Sequence, residues 1–413
     1  MPTPIVFSNA TVIDGASPEA REGHHVLVEG GKIREVSDRP INSESARAID
    51  LAGKTLMPGL VDCHVHVVAG LASLGGSADF PDSLVAARAA KIMYGMLMRG
   101  FTTVRDVGGA DHGLVLAVEE GAILGPRLVI SGKALSQTGG HADFRGRFDA
   151  RPPRLYETRL GSIGRVVDGV AETRKAAREE IKAGARQIKI MANGGVASPT
   201  DPISFLGFSR EELHAVVEEA AMAQTYVAGH LYTDEAIRRF VECGGHSVEH
   251  GSLVTLETAR LMKAKGAVVV PTLVTLEVLA EEGASLNFPA ESLAKIEDVR
   301  GSGLRSLEIY REAGVKIAYG TDLLGPMHRH QSREFEIRSR VLPAFDILQG
   351  ATTIAAELVH LKGRVGVVAP GAFADLLVVD GNPLQDIEVL AAPGERMLAI
   401  MKEGVFVRNE LRS

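Results

Sequence analysis

The chain has 413 residues, of which 45% are hydrophobic and 23% charged, with a net charge of −7. That length buries a sizeable core and suits one large domain with a smaller one, and without a long basic run nothing recommends nucleic acid or an anionic membrane surface. Two cysteines, Cys63 and Cys243, exclude a disulfide framework and fit a reducing compartment; with no signal-peptide plan and no apolar run near the roughly 20 residues of a membrane span, the expected location is the cytoplasm.

Residues 4–57 read as all-β. Short β-rich runs, such as Ile5-Val6-Phe7 and His25-Val26-Leu27-Val28, are separated by the turn pairs Asp14-Gly15 and Gly30-Gly31. From residue 60 short apolar strands alternate with longer amphipathic stretches. Strands are expected at 60–67, 101–107, 127–136, 186–191, 225–232, 246–250, 267–273 and 315–322. Helices are expected at 84–99, 168–183, 210–223, 233–243 and 290–313, with Ser209 and Thr233 as start signals. Eight such alternations predict a (β/α)8 TIM barrel. The arginine-rich connection at 137–167 is too long for a simple loop and is expected to cover the barrel mouth. After residue 364 the β-rich character returns. The two ends are expected to pack together as one small β-sandwich, since neither has enough apolar surface alone. The domain reading is therefore 1–57 and 365–413 as the sandwich and 58–364 as the barrel.

Pro58-Gly-Leu-Val-Asp-Cys-His64-Val-His66-Val-Val68 stands at the first crossing between the two. Side chains two apart in a strand point the same way, so His64 and His66 converge, as half of a metal site would require. Two histidines two apart in a core strand also arise without that role, so the other ligands must come from elsewhere. Barrel active sites lie at the C-terminal strand ends. Lys189 lies between two isoleucines in the fourth strand, His230 near the end of the fifth, His250 at the end of the sixth and Asp322 at the end of the eighth. Each alone has a structural reading, as a core histidine, a snorkelling lysine or a turn cap; together, at one end of one barrel, they read as a site. An ammonium has no lone pair for a cation. A buried lysine with a lowered pKa can lose its charge and be carboxylated by CO2, giving a carbamate able to bridge two metals. His328 and His330 follow the eighth strand, where they could line the pocket, and are read as residues behind the ligands or in the loop, and Asp62 and Cys63 are read as structural.

This constellation resembles the binuclear-metal branch of the amidohydrolase superfamily. The flanking runs Thr11-Val-Ile-Asp-Gly15, Met57-Pro-Gly-Leu-Val-Asp62 and Gly371-Ala-Phe-Ala-Asp-Leu-Leu-Val378 resemble it too, so the likeness spans essentially the whole chain. Within the superfamily, Gln137-Thr-Gly-Gly-His141, Ile188-Lys-Ile-Met-Ala-Asn-Gly-Gly-Val196, Gly229-His-Leu-Tyr232 and Gly245-His-Ser-Val-Glu-His-Gly251 are similar to the prolidase-type dipeptidases and to ochratoxin-hydrolysing amidohydrolases. The resemblance implies cleavage of the amide joining an acyl group to a C-terminal amino acid, in dipeptides, N-acyl amino acids or ochratoxin-like amides. It implies two divalent cations, expected to be zinc, sharing a bridging hydroxide. His64, His66, Lys189 and Asp322 would hold the more buried one, and carboxylated Lys189 with His230 and His250 the other. His141 would sit by the scissile carbonyl, Tyr232 would meet the substrate's α-carboxylate, and Asp322 would shuttle the proton. Leu231 replaces the family's usual alanine in His-Ala-Tyr, which bears on pocket shape alone. A homo-oligomer is expected.

Two other readings use the same residues. Ring opening of a cyclic amide, of the imidazolonepropionase or hydantoinase type, needs the same ligand set; the 137–141 run and Tyr232 favour a free carboxylate instead. A non-catalytic scaffold on this fold would be expected to lose ligands, and all are present. No Gly-x-Gly-x-x-Gly opens a helix after a strand, so a nucleotide site is not expected.

Overall fold

The computed structural model describes residues 3–198, 200–286, 288, 290–392 and 396–411. The chain falls into two compact units. One takes in the chain up to Asp62, residues 95–103 and the chain from Ser332 onward; the other is 63–94 with 104–331.

In the first unit, strands from both ends of the chain share one eight-stranded sheet. Its order is Val405–Asn409, Met397–Lys402, Leu376–Val379, Thr55–Pro58, Ile5–Val12, Arg21–Glu29 and Lys32–Ser37, with Arg47–Asp50 beside Ile5–Val12. Most pairs are antiparallel; Ile5–Val12 runs parallel to Arg47–Asp50 and Thr55–Pro58. The join between the ends is the antiparallel pair Thr55–Pro58 with Leu376–Val379, in the register Met57 to Leu377. Ile33 N donates to Ala372 O at 2.9 Å and Ala374 N to Gly31 O at 2.9 Å. These bonds bring the far edge back to the run entering Leu376–Val379, so a single curled sheet encloses Phe7, Val26, Leu56, Leu376 and Met401.

In the second unit, seven strands run in the order Gly164–Val166, Ala134–Ser136, Ile188–Met191, Val227–Thr233, Ser247–Leu253, Val268–Val270 and Lys316–Ile317. Among the described residues these strands pair in parallel throughout. Residues 63–65, 104–106 and 127–130 of this unit belong to the strands Leu60–Val65, Phe101–Asp106 and Arg127–Ile130 of a three-stranded sheet. The amphipathic stretches between strands form helices for local reasons. Ser209 and Glu212 make a reciprocal capping box at the start of Arg210–Met222, and Thr233 Oγ1 accepts from Ala236 N at the start of Asp234–Glu242. No helix among the described residues is long and apolar enough to cross a membrane.

Four elements depart from the sequence reading; the expected strand 267–273 keeps only Val268–Val270, and Leu273 opens the helix Leu273–Glu282. The expected strand 127–136 is two strands, because between them Ser131 N donates to Asp106 O and Lys133 N to Glu180 Oε2. The expected helix 290–313 is two helices, Ala290–Arg300 and Gly303–Ala313, interrupted where two glycines flank Ser302 and helix propensity is lowest. Of 315–322, only Lys316–Ile317 joins the ladder. The rest makes single bonds, with Ala318 N donating to Val269 O, Cys63 N to Tyr319 O and Asp322 N to His64 O.

Gly59 follows Thr55–Pro58 in the first unit. A Cβ there would lie 2.1 Å from Thr102 Oγ1, 2.6 Å from Cγ2 and 2.9 Å from Cβ. The whole buried Thr102 side chain is in the way, and its Cβ is fixed to the backbone. Gly59→Ala is therefore expected to destabilise the protein by about 1–3 kcal/mol, read as a fall in melting temperature; the paired change with Thr102→Ala should recover most of it.

Candidate metal centre

The strand ends and the run 318–322 deliver His64, His66, Lys189, His230, His250 and Asp322 to one small buried cavity, which His141 and Tyr232 also line. All eight residues singled out in the sequence therefore meet. His64 Nε2 and His66 Nε2 lie 3.4 and 3.3 Å from the same Asp322 oxygen. His230 Nδ1 lies 2.9 Å from His250 Nε2, and the His64 and His250 ring centroids are 5.0 Å apart. Ligand atoms of His64, His250 and Asp322 all fall within 4.8 Å of one another. His328 and His330 are not in the cavity wall: His328 Nε2 faces Ala69 O and His330 pairs with Glu282.

Two of these residues carry unusual backbone. His250 has φ +69° and Asp322 φ +51°, the left-handed region that non-glycine residues enter at a cost. At His250 this suspends the strand's alternation, so Glu249 and His250, neighbours in sequence, both turn toward His64: Glu249 Oε2 accepts from its Nδ1 while the His250 ring packs against its ring.

The outer faces of the imidazoles are held by the protein. His64 Nδ1 donates to Glu249 Oε2 at 2.7 Å, His66 Nδ1 to Gly108 O at 2.9 Å, and His250 Nδ1 pairs with Thr272 Oγ1 at 2.7 Å. Each Nε2 is left facing inward, the arrangement that metal-binding histidines take. His230 Nε2 is buried with no hydrogen-bond partner among the described residues, an expensive state that a bound cation would relieve. Burial, with the neighbouring His141 and His250, holds His230 well below its ordinary pKa; burial and His64 do the same for His250. Both rings are neutral and able to donate lone pairs. Burial would raise the Asp322 carboxyl, but His64 and His66 outweigh it and keep the group ionised, and Asp322 in turn raises His66 against its own burial. Burial pulls the Lys189 ammonium down to about 8, against the pull of Glu249 and Asp322. Imidazoles, a carboxylate and a readily neutralised lysine form a donor set that fits zinc-like cations.

Several supporting residues escaped the sequence reading. Glu249 is wholly buried and takes Arg105 Nη2 on both oxygens, at 2.7 and 2.8 Å, besides His64 and Ser247 Oγ. Asp106 accepts from the amides of Val67, Gly108 and Ala110, tying down the turns after two strands. The hydrophobic misfit that singled out Lys189 applies equally to Arg105, Asp106 and Glu249, charged residues inside apolar strands. No such signal marks the support of His141. Its ring lies over Gly195, where a Cβ would sit 2.0 Å from Cε1. Its Nδ1 pairs with Ser198 Oγ at 2.7 Å and lies 3.4 Å from Asp201 Oδ2. Lys295 Nζ then donates to the carbonyls of Gly195, Ser198 and Asp201, each at 3.1 Å.

The profile of the Amidohydrolase family matches residues 55–407, and the chain belongs to that family. It is 34% identical over 358 residues to the ochratoxinase of Aspergillus niger, across 82% of this chain and 72% of that protein. Among solved structures, a prolidase complexed with N-methylphosphonate-L-proline superposes with a TM-score of 0.97 at 52% identity, over 98% of this chain and 100% of that one. A Xaa-Pro dipeptidase with methionine bound in its active site gives 0.87 at 31% identity, over 98% and 100%.

Glu249 provides a direct check on the support. Burial would raise its carboxyl, but Arg105 and then His64 hold it well below the usual range. Glu249→Gln leaves Arg105 buried without a counter-charge, and a loss of about 3–5 kcal/mol is expected near pH 7. A depressed native pKa contributes stability that is complete above the unfolded carboxylate range and fades as pH falls below it. The gap in melting temperature between wild type and E249Q should therefore hold from about pH 7 to about pH 5 and narrow as pH falls below the unfolded carboxylate range, toward about pH 3; a gap undiminished at about pH 3 would contradict the ion-pair account.

Proposed function

We propose that this protein is a binuclear metal-dependent hydrolase that cleaves the amide between an acyl group and a C-terminal amino acid, with dipeptides, N-acyl amino acids and ochratoxin-like amides as its substrate class. The observation that carries the reading is the convergence of His64, His66, Lys189, His230, His250 and Asp322 on one cavity that His141 and Tyr232 also line. The likeness to a prolidase, a Xaa-Pro dipeptidase and an ochratoxinase supports a small amide as substrate. We read the strands as a closed (β/α)8 barrel over 58–364, on the bonds from Cys63 N to Tyr319 O and Arg186 N to Ile130 O, with 1–57 and 365–413 as the small β domain. A reducing, cytoplasmic setting accords with a chain of only two cysteines, both buried; homo-oligomeric assembly rests on the family resemblance.

In this reading His64, His66, Lys189 and Asp322 would hold one zinc ion, and Lys189, His230 and His250 would hold the second, with Lys189 common to both sets. Its lowered pKa supplies free amine, which attacks CO2 to form the carbamate and releases one proton. When bound, the cations acidify the attacking water and polarise the scissile carbonyl. The rest falls to the side chains. The ionised Asp322 carboxylate takes the proton of the attacking water and returns it to the amide nitrogen, which is too basic to leave unprotonated. His141, its ring set by Ser198 and Asp201, donates to the oxygen that gains charge as the carbonyl becomes tetrahedral. Burial raises the Tyr232 phenol, so its hydroxyl stays a donor for the substrate's α-carboxylate.

Metal content and amine release test this together. About two divalent ions per chain are expected, with amine released from N-acyl amino acids and dipeptides and lost on chelation; turnover of cyclic amides alone would favour the ring-opening reading. Asp322→Asn should keep most of the metal yet lower kcat roughly 10²–10⁴-fold, and full activity in that variant would remove the proton-shuttle role. Lys189→Ala should lose metal and activity together, with partial rescue by short carboxylic acids. Unchanged metal content and rate in K189A would refute the carbamate.

A further inference from the structure

The metal-centre cavity is small. Its volume is ≈ 40 Å³, room for about three water-sized spheres, so a dipeptide or N-acyl amino acid cannot lie wholly within it. Beside it opens a chamber of ≈ 610 Å³ in the same unit, the size of a site for an extended small molecule. The two share Leu74, Phe144 and Ala197 in their walls. Phe144 is the bulkiest of the three. It is half-buried and packs on Ala134, Ala142 and Met191. A Cβ at Gly75 would lie only 2.8 Å from Phe144 Cβ, so the ring is closely hemmed on that side too.

Resting on the function proposed above, we infer that this chamber receives the acyl side of the substrate and that Phe144, in the wall shared with the inner cavity, limits the size of acyl group that can seat beside the scissile carbonyl. The direction follows from the walls. Tyr232, assigned to the α-carboxylate, lines the inner cavity and not the chamber, so the amino-acid end lies inward and the acyl end points out. Ser198 faces the chamber while also pairing with His141, so the route from chamber to carbonyl passes the residue that contacts the reacting oxygen. The guanidiniums in the wall are already paired, Arg145 with Asp143 and Arg151 with Asp149, and the Lys295 ammonium is taken up by its three carbonyls. Among the described residues of the wall, every cationic side chain already has such a partner, so none is set aside for an anionic acyl group. The class that fits is a bulky, uncharged, aromatic acyl group seated against Phe144.

The test compares kcat/KM for N-(1-naphthoyl) and N-acetyl forms of the same amino acid in wild type, Phe144→Trp and Phe144→Ala. The naphthoyl-to-acetyl ratio is expected to fall roughly tenfold in F144W and to rise severalfold in F144A, because one change takes up space where the acyl group seats and the other frees it. Ratios within about twofold of wild type in both variants would overturn the assignment of Phe144 and the chamber. If wild type releases amine from neither compound nor from any dipeptide, the parent reading fails and this one with it. Hydrolysis with an unmoved ratio removes only the inference about the chamber.

Discussion

The site depends on a carboxylate that never touches solvent. Glu249 stands in the middle of the strand Ser247–Leu253, in a position where an apolar residue would cost nothing. A bare charge there would be prohibitive. It persists because Arg105 meets both oxygens and His64 and Ser247 add further hydrogen bonds. What this arrangement provides is direction. By accepting from His64 Nδ1 it fixes the tautomer and turns Nε2 toward Asp322, and the His64 carbonyl in turn accepts from Asp322 N. One buried ion pair thereby sets two of the candidate ligands and links three strands.

The cost of the arrangement appears in the backbone. A regular strand would send Glu249 and His250 to opposite faces, and only one would reach the interior. The left-handed conformation at His250 turns both inward, and the same conformation at Asp322 brings its carboxylate back over His64 and His66. Strain of this kind lasts only where the surroundings hold it. Here Thr272 holds the His250 ring and the His64 carbonyl holds the Asp322 amide. Stability is given up at the two points where geometry matters most.

A division of labour follows from the cavities. The inner one is nearly filled by side chains whose positions are determined by strands, so it sets chemistry. The chamber beside it is walled largely by the 142–157 part of the connection 137–167, the turn at 73–79 and the segment around Ser198, which lie outside the ladder and can vary with less effect on it. His141 belongs to both regions, since it sits on that connection yet stacks on His230 with centroids 4.1 Å apart.

Much of this was legible in the chain itself. Alternation of short apolar runs with capped amphipathic stretches specified strands and helices, because period and capping are local properties. His64, His66, Lys189, His230, His250 and Asp322 stood out because polar groups at the ends of apolar strands have no hydrophobic reason to be there. Arg105 and Glu249 carried the same signal, but nothing local says that two charges 144 residues apart neutralise each other. The break at 131–133, the left-handed His250 and Asp322, and the Ser198–Asp201–Lys295 support of His141 left no mark in composition or period. They arise from hydrogen bonds between distant segments, and those exist only once the strands stand side by side. The sequence by itself determined which chemistry was available; the tertiary structure alone decided how the candidate ligands are aimed and how much space lies beside them, since both depend on distances across the fold rather than along the chain.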